Sequence, residues 1–209
     1  SRGLGDVYKR QIILRVIKMK IFNKTSLILI CATMILPSSV IARSFKDTRG
    51  HWSEPAVDFV TKKDIMSGYE DGNFKPDENM TRAEFYATVN SLAGYEKTYT
   101  VTFSDVSTSD WFYNDVAKGV KAGYITPTTG KLNPTREITR EEVAEILGHV
   151  YSLTPKESAT NEFKDKNKIS ESARGYVGTL VESGILRGYV DGNFYPRRSI
   201  KRSEAATIF

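Results

Sequence analysis

Apolar residues recur along residues 45–209 at the three- and four-residue spacing of one helix face. One such stripe lies in 56–60, and a second lies in 85–92, after a polar stretch rich in glycine. The same succession of stripe, loop and stripe follows twice more along the chain. This pattern predicts an all-α protein built from three helix–loop–helix units.

Landmark residues show that the units are copies of one repeat, covering 45–92, 103–150 and 163–209. Trp52 precedes Thr81 by 29 residues, and Trp111 precedes Thr139 by 28. One helix pair of this size cannot bury its apolar face, whereas three pairs packed around a shared axis can. We therefore expect one pseudo-threefold domain with the second helices at its centre. The third unit stops nine residues into its second helix, which predicts a piece of a longer protein.

The loop between the helices is nearly identical in two of the copies. It reads GYEDGNFKPDENMTRAE at 68–84 and GYVDGNFYPRRSIKRSE at 188–204. The Asp-Gly pairs predict turns, and Phe74 and Phe194, which follow them, are predicted to anchor the loops in the core.

Capping signals mark the helix starts. Ser53 before Pro55 predicts the start of the first helix. Thr81 with Glu84 matches the capping box, in which a threonine and a glutamate bind each other's backbone amides, and Thr139 with Glu142 repeats it. Lys201 replaces the threonine in the third copy.

The residues before the first repeat predict a signal peptide at 19–42. Lys20 and Lys24 precede an apolar run at 27–36, and the small-residue segment Val40-Ile41-Ala42 matches a cleavage signal before Arg43. The alternative, a retained anchor, is disfavoured because the run is too short to span about 30 Å of hydrocarbon. Its Cys31 is the chain's single cysteine, so the mature protein is expected to lack disulfides and cysteine metal sites. Residues 1–18 resemble non-native or upstream sequence, such as a scar left by cloning or assembly.

The basic charge of the chain belongs to this leader. The whole sequence has 30 basic and 25 acidic residues. Seven of the basic residues and one of the acidic residues lie in 1–42. Residues 43–209 therefore carry 23 basic and 24 acidic residues, which gives a formal charge of −1. Nothing in this balance favours a nucleic-acid partner.

An arginine occupies the first position of each predicted second helix: Arg82, Arg140 and Arg202. A helix N-terminus already carries about half a positive charge, so a cation there is mildly unfavourable. A bound anion would explain the repetition, because free backbone amides and a guanidinium both suit a carboxylate or phosphate. The alternative, that each arginine is solvated or paired with an acid such as Glu84, remains open.

Acidic and aromatic residues recur near the first helices. Trp52 and Trp111 stand at matching positions, where the third copy has Ser172. An aromatic plane beside aspartate and arginine suits a sugar ring, and the alternative is that the tryptophans are core anchors. An aspartate follows the first phenylalanine of each repeat by two positions: Asp47, Asp105 and Asp165.

The stretch FKDTRGHWSEPAVDFVTKKDIMSGYEDGNFKPDENMTRAEF and its two echoes resemble surface-layer homology repeats, with TRAE as the signature motif. This resemblance covers 45–209. It implies a three-pronged spindle of pseudo-threefold symmetry around a central helix bundle. It also implies a secreted, non-enzymatic module that needs no cofactor. Its partner would be an anionic, often pyruvylated, secondary cell-wall polysaccharide, or another envelope glycan, bound in grooves between repeats.

The resemblance assigns roles to matching residues. The three arginines would meet the ketal carboxylate, and the TRAE glutamates would orient the arginine or a sugar hydroxyl. The aspartates and tryptophans would line the grooves, and a glycine would let the backbone approach a sugar. Only the first copy keeps the full set, which predicts unequal grooves. The residues so assigned are Arg82, Arg140, Arg202, Glu84, Glu142, Glu204, Asp47, Asp105, Asp165, Trp52, Trp111, Gly68 and Gly188.

Three other classes of function compete with this interpretation. Catalysis within 45–209 is disfavoured by the small inventory of His51 and His149 without a thiol. A calcium site at Asp71-Gly72-Asn73 lacks the alternating carboxylates and the terminal glutamate of calcium loops. An enzyme domain or a self-assembling surface-layer domain beyond residue 209 remains the alternative for the whole protein.

Overall fold

A computed structural model describes residues 45–209, and the predicted signal peptide and scar lie outside the described residues. The described chain is all-α, as predicted, and forms two α-helices in each repeat. Short 3-10 helices at Lys46–Thr48, Ser158–Glu162 and Lys166–Lys168 lie in the connections. The six helices are α1 (Glu54–Lys62), α2 (Arg82–Ala93), α3 (Tyr113–Ala122), α4 (Arg140–Val150), α5 (Glu171–Glu182) and α6 (Arg202–Ile208).

The central helices begin at the predicted capping boxes. The Thr81 hydroxyl accepts from the Glu84 amide, and the Glu84 carboxylate accepts from the Thr81 amide at 2.8 Å. Thr139 and Glu142 repeat both bonds. At α6 only half of the box remains, since Glu204 accepts from the Lys201 amide and a lysine side chain cannot accept in return.

The first helix departs from its predicted cap. It starts directly after Ser53 with Pro55 in its first turn, as expected. The Ser53 hydroxyl does not cap it, however, because it bonds to the His51 ring at 2.7 Å. The prediction of the position was right, and that of the capping bond was wrong.

Extensive helix contacts join successive repeats. The second helix of one repeat packs against the first helix of the next, giving the pairs α2 with α3 and α4 with α5. The series closes on itself, because α6 of the third repeat packs against α1 of the first. A repeat therefore buries its apolar faces mainly against its neighbours.

A ring of backbone hydrogen bonds closes the same cycle ahead of the central helices. The Met80 amide donates to the Ile200 carbonyl at 2.9 Å, Ile138 donates to Met80 at 2.9 Å, and Ile200 donates to Ile138 at 3.1 Å. The three side chains are fully buried. The ring fixes the starts of the three central helices relative to one another.

The core runs through all three repeats. Phe74 and Phe194, the predicted loop anchors, are completely buried, and Leu132 fills the equivalent place in the second repeat. The phenylalanines that open the repeats, Phe45 and Phe163, pack against these anchors with ring centroids 5.6 and 5.4 Å apart. Within residues 45–209, no helix has the length and apolar character needed to cross a bilayer.

Candidate functional site

Each arginine of the repeated motif faces the glutamate of another repeat. We name the three grooves after the repeats that form them. Groove 1/2 contains Arg82 and Glu142, which form an ion pair. Groove 2/3 contains Arg140 and Glu204, which line one cavity of about 210 Å³. Groove 3/1 contains Arg202 and Glu84, with Nη1 3.7 Å from Oε1.

Two of the arginines bind main-chain carbonyls of the facing loop. Arg202 donates from Nε to the Phe74 carbonyl at 2.9 Å and from Nη2 to Ser67 at 2.7 Å. Arg140 makes the equivalent bonds to Phe194 at 2.9 Å and Arg187 at 2.6 Å. Both arginine residues are at least 94% buried. Their guanidinium groups therefore hold the Asp-Gly loop of one repeat to the central helix of another.

Aromatic rings flank both of these guanidinium groups. Arg202 lies 4.6 Å from the ring centroids of Tyr69 and Phe74. Arg140 lies 4.8 Å from Tyr189 and 4.6 Å from Phe194. Such contacts favour a cation that has been removed from water. Burial lowers the pKa of Arg140 to about 10, which leaves it charged at neutral pH.

The tyrosines also bind the motif glutamates. Tyr69 donates its hydroxyl to Glu84 at 2.7 Å, and Tyr189 donates to Glu204 at 2.9 Å. Burial and the bond to Glu84 raise the pKa of Tyr69 to about 12. These tyrosines are not among the predicted site residues, although the recurring Gly-Tyr pair is a signal visible in the sequence.

Groove 1/2 is built differently. Both Arg82 and Arg136 pair with the Glu142 carboxylate. Burial opposes ionisation of Glu142, but the Thr139 amide and the two arginines outweigh it and lower its pKa. Arg82 and Glu142 line a cavity of about 360 Å³ together with Tyr86 and Tyr124.

The backbone amides at the helix starts are already bonded. The first two amides of α2 donate to the carbonyls of Arg136 and Pro134, at 2.9 and 2.8 Å. The starts of α4 and α6 make the same pair of bonds to the loops at 196–198 and 76–78. An anion therefore cannot rely on free helix amides, so that part of the sequence argument was wrong. A ligand would meet side chains.

The repeated aspartates hold the loops in place. Asp47 accepts from the amides of Phe74 and Lys75, at 3.0 and 2.6 Å. Asp105 and Asp165 accept from the matching amides of their own loops, each bond being 2.8 Å long. Both carboxylate oxygens thus have backbone donors, and the contacts seen for these residues are structural.

The glycines that open the loops allow a close approach by a ring. A Cβ atom at Gly68 would lie 2.1 Å from the Phe45 ring, and one at Gly188 would lie 2.4 Å from Phe163. The close neighbour in the structure is thus a core phenylalanine. The Asp-Gly turns form as predicted, with Gly72 at φ 80° and the Asn73 amide donating to Asp71 at 3.0 Å.

The tryptophans lie outside the core. Trp52 is 62% exposed and Trp111 is 64% exposed, so the core-anchor alternative is wrong. Neither lines the cavities of groove 1/2 or groove 2/3. The structure brings each assigned arginine and glutamate together but leaves the tryptophans apart from those two cavities.

The described chain is thus a cyclic three-repeat helical domain whose grooves combine cations, carboxylates and aromatic rings, a composition typical of a binding module. The S-layer homology domain model matches residues 44–85, 102–144 and 162–206. The chain belongs to this family of anchoring modules, which confirms the resemblance. Proteins similar to this chain include S-layer proteins and a cellulosome-anchoring protein.

Similar curated proteins differ widely in what surrounds the shared region. An exoglucanase XynX of Acetivibrio thermocellus is 31% identical over 82% of this chain and 16% of its own length. A surface-layer 125 kDa protein of Lysinibacillus sphaericus is 27% identical over 91% of this chain and 16% of its own length. A cellulosome-anchoring protein of Acetivibrio thermocellus is 32% identical over 69% of this chain and 34% of its own length. The chain thus spans only a small part of each relative.

Proposed function

We propose that this domain holds the protein non-covalently at the bacterial cell envelope by binding an anionic, pyruvylated secondary cell-wall polysaccharide in the grooves between repeats. The observation that carries the proposal is that an arginine and a glutamate from two repeats meet in grooves 1/2 and 3/1 and line one cavity in groove 2/3. A guanidinium fork suits the carboxylate of a pyruvate ketal. Neighbouring carboxylates and tyrosine hydroxyls suit sugar hydroxyls.

The names of the relatives support the anchoring role. One relative is a cellulosome-anchoring protein, and others are S-layer proteins. Relatives named as enzymes share only a minor part of their length with this chain. This sharing supports an envelope-binding role for the common part, and this chain is not expected to be catalytic within 45–209.

Sedimentation with cell-wall sacculi tests this function. The purified chain should pellet with sacculi that retain their secondary polymer. It should remain in the supernatant when the polymer has been stripped and only peptidoglycan is left. Sacculi whose polymer lacks the pyruvate ketal separate the two parts of the proposal. Equal binding to these would leave anchoring intact but refute the ketal as its determinant.

A second proposal concerns what the anchor holds. Similar proteins include an exoglucanase, an endoglucanase and a surface-layer protein. We propose that the present domain likewise serves a functional domain beyond residue 209. Antibodies raised against the repeats should detect a surface protein heavier than the 23.5 kDa of this chain. A band at or below that mass would contradict this.

A further inference from the structure

We infer that groove 1/2 is the groove whose arginine binds the acid group of the glycan, whereas Arg140 and Arg202 are structural clamps that hold loop carbonyls. This inference rests on the proposed function and specifies where the carboxylate is bound. It distinguishes three arginines that occupy identical positions in the repeated motif.

The first observation is an unsatisfied donor. The Nε atom of Arg82 is buried and has no hydrogen-bond partner, and among residues 45–209 the only other such side-chain atom is the Ser203 hydroxyl. A buried donor on a charged group is costly to leave unpaired. Native arginines at such positions are usually satisfied, so the atom indicates a partner that is not part of the polypeptide.

The equivalent atoms in the other grooves are occupied. Nε of Arg140 and Nε of Arg202 each donate to a loop carbonyl at 2.9 Å, and Nη2 of each donates to a second carbonyl. A ligand could engage these atoms only by breaking bonds that hold two repeats together. The Arg82 guanidinium holds no loop carbonyl in this way, since its described side-chain contacts are the ion pair with Glu142 and the interaction with Tyr86.

The sequence of the second repeat explains the difference. Its loop is one residue shorter, with Pro127 in place of the glycine and Thr128 in place of the tyrosine. Leu132 replaces the anchoring phenylalanine. The aromatic pair that surrounds Arg140 and Arg202 is therefore missing around Arg82, whose nearest ring is Tyr86 at 5.8 Å.

The space left by these replacements has the size for a sugar, and Arg82 lies in its wall. Its volume of about 360 Å³ falls in the range of about 300–1,000 Å³ typical of small-ligand sites. Tyr86 and Tyr124 provide aromatic walls. The charged side chains that line the cavity are Arg82, Lys131, Glu142 and Glu145, and Arg136 pairs with the Glu142 carboxylate.

Titration calorimetry with a defined probe tests the inference. The probe is a monosaccharide glycoside carrying a pyruvate ketal, and its methyl ester, which lacks the charge, is the ligand control. Arg82→Gln should weaken binding of the acid at least tenfold and leave the melting temperature nearly unchanged. The same substitution at Arg140 or Arg202 should lower the melting temperature by several degrees and leave the affinity of the folded protein within about twofold.

Nitrogen-15 NMR of the unaltered chain gives a readout that does not depend on the variants folding. Addition of the acid probe should shift the Nε–Hε resonance of Arg82 and slow its exchange with water. The resonances of Arg140 and Arg202 should be protected before addition and stay in place.

The outcomes separate the two levels of the argument. If the unaltered chain binds sacculi but not the ketal probe, the ketal part of the proposed function fails. If the chain binds the probe while Arg82→Gln binds equally well, or the Arg82 signal does not move, the groove assignment fails. A shift at Arg140 or Arg202 alone would place the ligand in another groove.

Discussion

At the scale of single residues, the arginines at equivalent positions of the repeats make different contacts. Arg202 is buried between two rings and bonded to two carbonyls, whereas Arg82 has an unpaired Nε beside an open cavity. The aspartates show the opposite behaviour, because all three make the same pair of backbone bonds. Their geometry leads to a prediction about pH.

Asp105→Asn should destabilise the protein by about 1 kcal/mol at neutral pH, because an amide nitrogen cannot accept from the second loop amide. Burial opposes the charge on Asp105, but the amides of Leu132 and Asn133 outweigh it and lower its pKa. A lowered folded pKa means that the contribution is complete above the unfolded pKa of about 3.9. It should disappear as the pH falls through the lower folded value.

Urea unfolding of the protein and the Asp105→Asn variant between pH 7 and pH 2.5 measures this difference. The two free energies should converge at the acid end. A difference that stays constant over the whole range would show that the carboxylate charge is not its source.

At the scale of elements, the central helices start at junctions between repeats. Capping boxes bind the local amides of α2 and α4, and carbonyls of another repeat bind the first two amides. Helix start and repeat contact therefore form together. The third copy is weaker here, since Lys201 cannot accept from the Glu204 amide.

Lys201→Thr should complete the third capping box and stabilise the protein by about 1 kcal/mol. The change removes the bond from Lys201 to Asp77 at 2.7 Å, but exposed pairs contribute little. Thermal unfolding of this variant beside Thr81→Lys, the reverse change in the first copy, measures the effect. We expect shifts of opposite sign, and a loss of stability for both would refute the argument.

At the scale of the whole molecule, the repeats form a closed cycle. Each repeat gives its loop to one groove and its arginine to another, so no groove belongs to a single copy. The ring through Met80, Ile138 and Ile200 and the packing of α6 against α1 close the cycle. Removing one repeat therefore opens two contacts.

A chain ending at Leu153, which lacks the third repeat, should lose cooperative unfolding, because α1 and α4 both lose their packing partners. Circular dichroism during urea titration measures this. A chain that begins at Arg43 and keeps all three repeats is the control and should retain the full transition. A sharp transition in the two-repeat chain would show that the closed cycle is not required for folding.

The sequence by itself determined the repeat, the helix pairs, the positions of the capping boxes and the loop anchors. These features depend on local periodicity and on bonds between residues three or four apart, which a sequence displays directly. It also singled out the arginines and glutamates, because their positions recur three times.

Only the tertiary structure decided which arginine faces which loop, because packing between repeats joins residues 47 to 135 positions apart. The sequence comparison favoured the first copy as a complete site, but its loop lies in groove 3/1 and its arginine in groove 1/2. The structure likewise turned the tryptophans outward and gave the aspartates to backbone amides. Whether an arginine clamps a loop or faces a cavity depends on carbonyls supplied by another repeat, and no local pattern records them.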